Sequence, residues 1–446
     1  MVRKRFRILV MGGVLLLVFG VYVRTLSYSF LTWDDPAYVL KRKVLYQIAR
    51  GEGGWLSLLS PSDAMKGRTW EFFPIRDLSY AWDAWRGGRL DAVYFRWSQI
   101  VILLLLVCGA MALAWQLGVG LWGQALTGLL LGLHPLVVEP AAWISGRKDL
   151  LMVLFGVSAL LCLEQAVSHS RALSKDPVQP RLKWGWIALA GLSFLGSCGS
   201  KGPGVVVLGL VMFWSWQRHG RKVFWALRGF WASLFVVSVL WLGLVSWIGH
   251  SNRILDVGAG QDLWEWFQRS TDALGMILWV PLRWLIPEGL SPSYHQRFVL
   301  RVGGISVWSW LVLLLLLWGG LAWRKGVFLQ TRSTRLWLFW GIGLLALVIV
   351  PYAGLIRVAQ QHADRFWLGA CVLFAVGLGF ASQHVRWLGL AAWCLLPWFA
   401  WQTHHYLPAW KSTGHLWRHV YLTQPTHPDA LINLSAMAIS AKQYDV

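Results

Sequence analysis

The chain has 446 residues, 57% of them hydrophobic and only 14% charged, and a mean hydropathy of +0.51. A soluble domain spends about a quarter of its residues on charge, so a water-soluble globule of this composition would expose far too much apolar surface. The net charge of +21 does not indicate a nucleic-acid partner, because the basic residues sit in short loops between apolar runs; anionic lipid headgroups are the expected counter-charge.

The basic stretch 1–7 followed by the apolar stretch 8–23 has no small-residue cleavage site after it. It reads as an uncleaved first span with its basic end in the cytoplasm. Further spans are expected at 94–117, 119–138, 150–166, 184–199, 203–216, 229–249, 304–323, 336–350, 366–381 and 386–401. The apolar piece 273–286 is short and carries Pro281. If it does not cross, the basic loops at 171–183, 218–228 and 324–335 and Arg386 all share the side of the N-terminus, as the positive-inside rule requires. It is therefore read as a re-entrant or half helix, tolerated where protein surrounds it.

The expected architecture is an all-α polytopic membrane protein of eleven crossings, with a transmembrane domain over 1–401 and an external tail over 402–446. Its first external loop, 24–92, should carry amphipathic helices, one of them over 72–83. The 34 tryptophans suit the two membrane interfaces. Cys108, Cys162, Cys198, Cys371 and Cys394 lie within or beside apolar runs, show no metal spacing and read as small buried hydrophobes.

Chemistry-bearing residues collect at the ends of spans on the external side. Asp34 and Asp35 are adjacent carboxylates just past the first span. Mutual repulsion and desolvation can raise one of them into the range of a general base, or the pair can offer hard oxygen ligands to a divalent cation, magnesium or manganese. Asp35 before Pro36 is equally a helix cap. The segment 134–149 puts His134, Glu139, Arg147, Lys148 and Asp149 between two apolar spans, where ionisable groups are costly and point to function. Arg147 and Lys148 suit a phosphate, unless the loop is an interfacial one whose ends snorkel. Lys201 sits alone at a span mouth, without the spacing of a phosphate loop. His362, Asp364 and Arg365 form a last polar cluster, in which Arg365 reaches an anionic headgroup or pairs with Asp364. Together these describe a site for an anionic, lipid-anchored substrate.

Six stretches in chain order carry a family resemblance: Trp33-Asp34-Asp35; 73–83 with Arg76; His134 through Glu139 and Trp143 to Asp149; Ser200-Lys201; Pro287 to Tyr294-His295; and Ala363-Asp364-Arg365-Phe366. The chain resembles the bacterial TPR-containing membrane glycosyltransferase-like family, related to the eukaryotic transmembrane-and-TPR O-mannosyltransferases within the C-type (GT-C) superfamily. The resemblance implies a GT-C-like bundle in the bacterial inner membrane. It also implies a polyprenyl-phosphate-linked sugar as donor and inverting transfer to an acceptor on the periplasmic face. Asp34 would be the base and Asp35 would orient it or bind a metal. Arg147, Lys148, Lys201 and Arg365 would hold the donor phosphate, and His134, Glu139, Arg76, Asp149, His362 and Asp364 would line the pocket. Val137, Pro140 and Phe366 depart from the family pattern. The stretch 427–437 resembles the opening helix of a TPR unit, which implies a protein partner there. The rival readings are an inactive scaffold recruiting partners through this tail and a flippase for polyprenyl-linked lipid. A flippase predicts midplane charges and internal repeats, and neither is found in the sequence.

Overall fold

The computed structural model describes residues 2–66, 71–173, 182–252, 263–294, 301–302, 305–312, 314 and 363–440. Almost all ordered elements are helical; a two-residue antiparallel hairpin pairs Arg301–Val302 with Ile305–Ser306. Among the described residues, five helices are long and apolar enough to cross a membrane: Arg5–Ser27, Ala92–Gln116, Ile144–Val167, Arg228–Ser251 and Asp364–Ala381. A sixth span exists if Leu121–Gly132 and Pro135–Ala142, bent by 54°, cross as one. The chain is an almost wholly helical, multi-pass membrane protein.

These six coincide with expected spans, and the remaining expectations differ for physical reasons. Trp184–Ser200 and Val206–His219 are helices of 17 and 14 residues, about 25 and 21 Å at 1.5 Å per residue, against a hydrocarbon core of about 30 Å. Arg386–Tyr406 is a 21-residue helix that carries Gln402, His404 and His405 near its end. The segment 273–286 is no isolated half helix: it is the end of one helix, Leu263–Leu285, which contains Pro281. The span expected at 336–350 and most of that at 304–323 lie outside the described residues, as do His295 and His362.

The chain divides into two compact units. The first comprises Met1–Leu151, Pro287–Arg297 and His362–Val446. Its spanning helices meet through small residues, which let backbones approach closely in the absence of a hydrophobic drive between lipid-soluble helices. A β-carbon on Gly379 would lie 2.6 Å from the carbonyl oxygen of Gly123 and 2.1 Å from Thr127 Oγ1, whereas one on Gly377 would meet nothing within 4 Å. Gly379→Ala should therefore destabilise the protein by about 1–3 kcal/mol, the usual effect of overpacking, and Gly377→Ala should not. Thermal unfolding of the two variants in one detergent checks this; equal midpoints would contradict the packing.

The segment 24–92 carries an amphipathic helix over the stretch that the sequence marks as one. Pro74 occupies the first turn of the Pro74–Gly87 helix, and Gly88 ends it in the left-handed region at φ 61°. The helix buries Arg76, Asp77, Tyr80, Ala81, Asp83 and Ala84 and exposes Trp82 and Trp85, a clean amphipathic split. With Tyr38, Val39, Leu45, Ile48, Leu58, Phe95 and Ile144 it forms a small core of its own. Asp91 caps the next helix, its side chain accepting the Val93 N–H at 3.1 Å.

The C-terminal stretch packs into the same unit. Thr413–Thr423 and Pro428–Ser440 form a helical hairpin. The Thr32 N–H and hydroxyl both donate to Thr413 Oγ1, at 2.9 and 3.1 Å, and the Ser29 N–H donates to the Lys411 carbonyl at 3.1 Å.

The second unit comprises Met152–Ile286 and Phe298–Gln361. There the Trp214 indole donates to the buried Glu164 carboxylate at 2.6 Å, and His219 Nε2 lies 3.1 Å from the same oxygen. Phe235, Val239, Leu240 and Trp247 of the Arg228–Ser251 helix are exposed, the surface expected of a lipid-facing helix.

Candidate functional site

The first unit gathers most of the sequence-predicted residues. The chain leaves the first span and turns at Asp34, whose backbone carbonyl accepts the N–H groups of Ala37 and Tyr38 at 3.0 and 3.1 Å. Pro36 stands at the start of the short helical turn Pro36–Leu40. Trp33 stacks on Trp143, with ring centroids 4.9 Å apart and planes at 17°; it also meets Trp417 at 5.7 Å, while Trp143 meets Trp410 at 5.9 Å. An aromatic wall thus pins the residue next to the two carboxylates against the 134–149 segment and the Thr413–Thr423 helix.

The two carboxylates have different surroundings. Asp35 is completely buried. Its Oδ2 accepts the Leu31 N–H at 2.8 Å, and its Oδ1 accepts the Ser145 hydroxyl at 2.5 Å and the Ser145 N–H at 3.1 Å. Its side chain makes no capping bond to the turn it precedes. With both oxygens engaged, Asp35 fastens the 24–92 segment to the 134–149 segment and does not cap the turn. Asp34 is half-buried, and among the described residues its carboxylate makes no hydrogen bond or close ion pair. Burial pushes its pKa up; the charges of Lys148 and Arg365 pull against that, Glu71 adds to the rise and Arg76 opposes it. Partial desolvation beside fixed cations is the environment of a general base.

The pair is not preset as a metal site: both oxygens of Asp35 already accept from Leu31 and Ser145, and among the described residues no three His, Cys, Asp or Glu side chains group as a metal cluster.

The 134–149 segment is entirely buried. His134 caps the Pro135–Val137 turn, its Nδ1 accepting the Leu136 N–H at 3.2 Å, and its ring lies 4.5 Å from that of Phe399. Glu139 is the partner of Arg365: the Arg365 backbone N–H donates to Glu139 Oε2 at 2.8 Å, and its guanidinium donates to Oε1. The rings of Trp143 and Phe366 each lie 5.0 Å from that guanidinium. Asp149 is near enough to act electrostatically on both members of the pair. Asp364 accepts the hydroxyls of Tyr294 at 2.8 Å and Tyr406 at 3.4 Å.

Arg147 is the clearest correction to the sequence reading. Expected to hold a phosphate, it is wholly buried and consumed by protein acceptors: Asp83 Oδ2 at 2.5 Å, the Phe95 carbonyl at 2.6 Å, Gln99 Oε1 at 3.1 Å and the Ser79 carbonyl at 3.2 Å. The Tyr80 hydroxyl donates to the Ile144 carbonyl at 2.9 Å beside it. Arg147 staples the first loop to the span and leaves little donor capacity for a ligand.

Its neighbour Lys148 points into a different cluster. Lys148 Nζ donates to Glu71 Oε2 at 3.0 Å, and Arg76 Nη1 donates to the same oxygen at 2.9 Å. Both cations lie over the Tyr38 ring, Arg76 at 4.3 Å and Lys148 at 4.9 Å. Arg76 Nε donates to Asp77 Oδ1 at 2.8 Å, and Asp77 Oδ2 accepts from Arg42 at 3.0 Å. Burial alone would push the Glu71 carboxyl up, but Lys148 and Arg76 outweigh it and hold the pKa at about 2. Glu71 and Tyr38 were not legible as site residues: one is a lone acid in a loop rich in acids, the other a lone phenol, and nothing in their spacing relates them to Lys148.

Lys201 belongs to the second unit, where it ends the Trp184–Ser200 helix in extended backbone. No family model, curated protein or solved structure matches the chain.

Proposed function

We propose that the protein is an integral-membrane glycosyltransferase that moves a sugar from a polyprenyl-phosphate donor to an acceptor hydroxyl, with inversion, on the periplasmic face of the bacterial inner membrane. The observation that carries the chemistry is the split between the two carboxylates: Asp35 is locked by Ser145 and Leu31, while Asp34 makes no side-chain hydrogen bond among the described residues and feels the charges of Lys148 and Arg365. The sugar and its lipid carrier rest on the motif resemblance, which the charged, membrane-edge setting fits.

In this reading Asp34 takes the acceptor hydroxyl proton as the acceptor oxygen bonds to the anomeric carbon. The bond from that carbon to the phosphate oxygen breaks on the opposite face, and the electron pair leaves with polyprenyl phosphate. Its growing charge is met by preorganised cations, Lys148 foremost, with Arg365 contributing through the Glu139 pair. Asp35 acts through position alone.

The base must be ionised to work, and burial raises its pKa. Activity therefore falls as pH drops through that raised value. The acid limb of kcat/KM should lie above the ordinary aspartate value of 3.8. A profile flat down to pH 4 would remove Asp34 from the role.

A further inference from the structure

Resting on that reading, we infer that Tyr38, Arg76 and Lys148 form a phosphate cradle which the protein's own Glu71 carboxylate fills as a stand-in, and from which a phosphate displaces it.

Three observations lead there. First, one carboxylate oxygen, Glu71 Oε2, is shared by two cations at 2.9 and 3.0 Å, and the Tyr38 hydroxyl also hydrogen-bonds this carboxylate. A guanidinium and an ammonium converging on one anionic oxygen, with a phenol on the same group, is how proteins hold phosphate oxygens. Second, the cradle is built and its occupant is not: Arg76, Tyr38 and Lys148 are 0%, 4% and 6% exposed, whereas the Glu71 side chain is 25% exposed. The cations are also fixed from behind, both against the Tyr38 ring and Arg76 by Asp77. Third, Arg76 is not saturated by the carboxylate. Among the described residues its buried Nη2 has no acceptor, and a buried unmet donor is expensive. A carboxylate has two oxygens to offer, whereas the phosphate released when the sugar departs has three.

The exchange is balanced in charge. A lipid-linked sugar phosphate is a monoanion, as Glu71 is, so the swap leaves the net charge of the cluster unchanged. When the sugar departs, the phosphate becomes a dianion, and the same two cations hold it more strongly than they held the donor. The cradle thus favours the state in which charge has developed. Glu71 also keeps Lys148 and Arg76 in place between turnovers, so that no buried cation stands uncompensated. It is a positioning residue that competes with the substrate.

Binding to the full chain in phosphatidylcholine nanodiscs tests this, with a short polyprenyl monophosphate and inorganic phosphate as separate probes. Glu71→Gln should bind the lipid phosphate about ten-fold tighter than wild type, the worth of one charge-assisted hydrogen bond no longer contested. Adding Lys148→Gln should abolish that gain. If only inorganic phosphate gains, the cradle stands and the lipid-linked donor falls. Unchanged or weaker binding of both probes by a monodisperse Glu71→Gln protein overturns the cradle. Should that variant not fold, Glu71→Asp keeps the charge but shortens its reach, and must show the same direction of change.

Discussion

Asp34→Asn should lower sugar transfer by about 10²–10⁴-fold, the usual contribution of a positioned general base, while leaving the protein folded and its donor affinity nearly unchanged. The amide is isosteric, and among the described residues no side-chain hydrogen bond is broken by the change. The neighbouring substitution gives the opposite pattern. Asp35→Asn puts an amide nitrogen where the Ser145 hydroxyl and N–H or the Leu31 N–H now donate, so it should lower stability first and activity only as a consequence. Measuring transfer and thermal midpoint for both variants separates the roles. If Asp34→Asn retains full activity, or if Asp35→Asn alone is inactive at wild-type stability, the assignment is reversed or wrong.

Arg147 carries the second large effect, and it is on the fold. Arg147→Met or Asp83→Asn breaks a fully buried ion pair by removing one partner, which leaves an uncompensated charge or a set of orphaned acceptors and costs about 3–5 kcal/mol. The Phe95, Ser79 and Gln99 bonds are lost with the guanidinium. Most such protein should be lost to aggregation during expression. Whatever is recovered should bind donor as wild type does. A stable Arg147→Met protein with selectively weakened donor binding would restore the phosphate role that the sequence suggested.

These two cases show what could be read from the chain and what could not. Hydropathy located the five spans that the structure also supports, and the bent pair that would make a sixth, because a run of about 20 apolar residues is a local property. It also marked Trp184–Ser200 and Arg386–Tyr406, helices that fall short of the length or the apolarity of the other spans, since composition near the threshold does not fix length. The amphipathic helix over Pro74–Gly87 was legible for the same local reason. The candidate site was legible as an inventory, but the partner that each side chain takes was not. Arg147 and Lys148 are adjacent, yet one faces Asp83, Gln99 and Phe95 and the other faces Glu71. Successive helical residues point about 100° apart, and their partners come from 48 to 77 positions earlier. Which of two adjacent aspartates is locked likewise depends on Ser145, 110 positions away. No local pattern encodes that.

The glycosyltransferase reading is most directly tested by native mass spectrometry of the purified protein, wild type beside Asp34→Asn. The expected result is a bound polyprenyl-phosphate lipid on both, with the sugar-bearing form accumulating on Asp34→Asn because donor still binds and transfer has stopped; the added mass would identify the sugar. If neither protein carries such a lipid, even after a synthetic polyprenyl phosphate is supplied, the chain is no transferase of this kind.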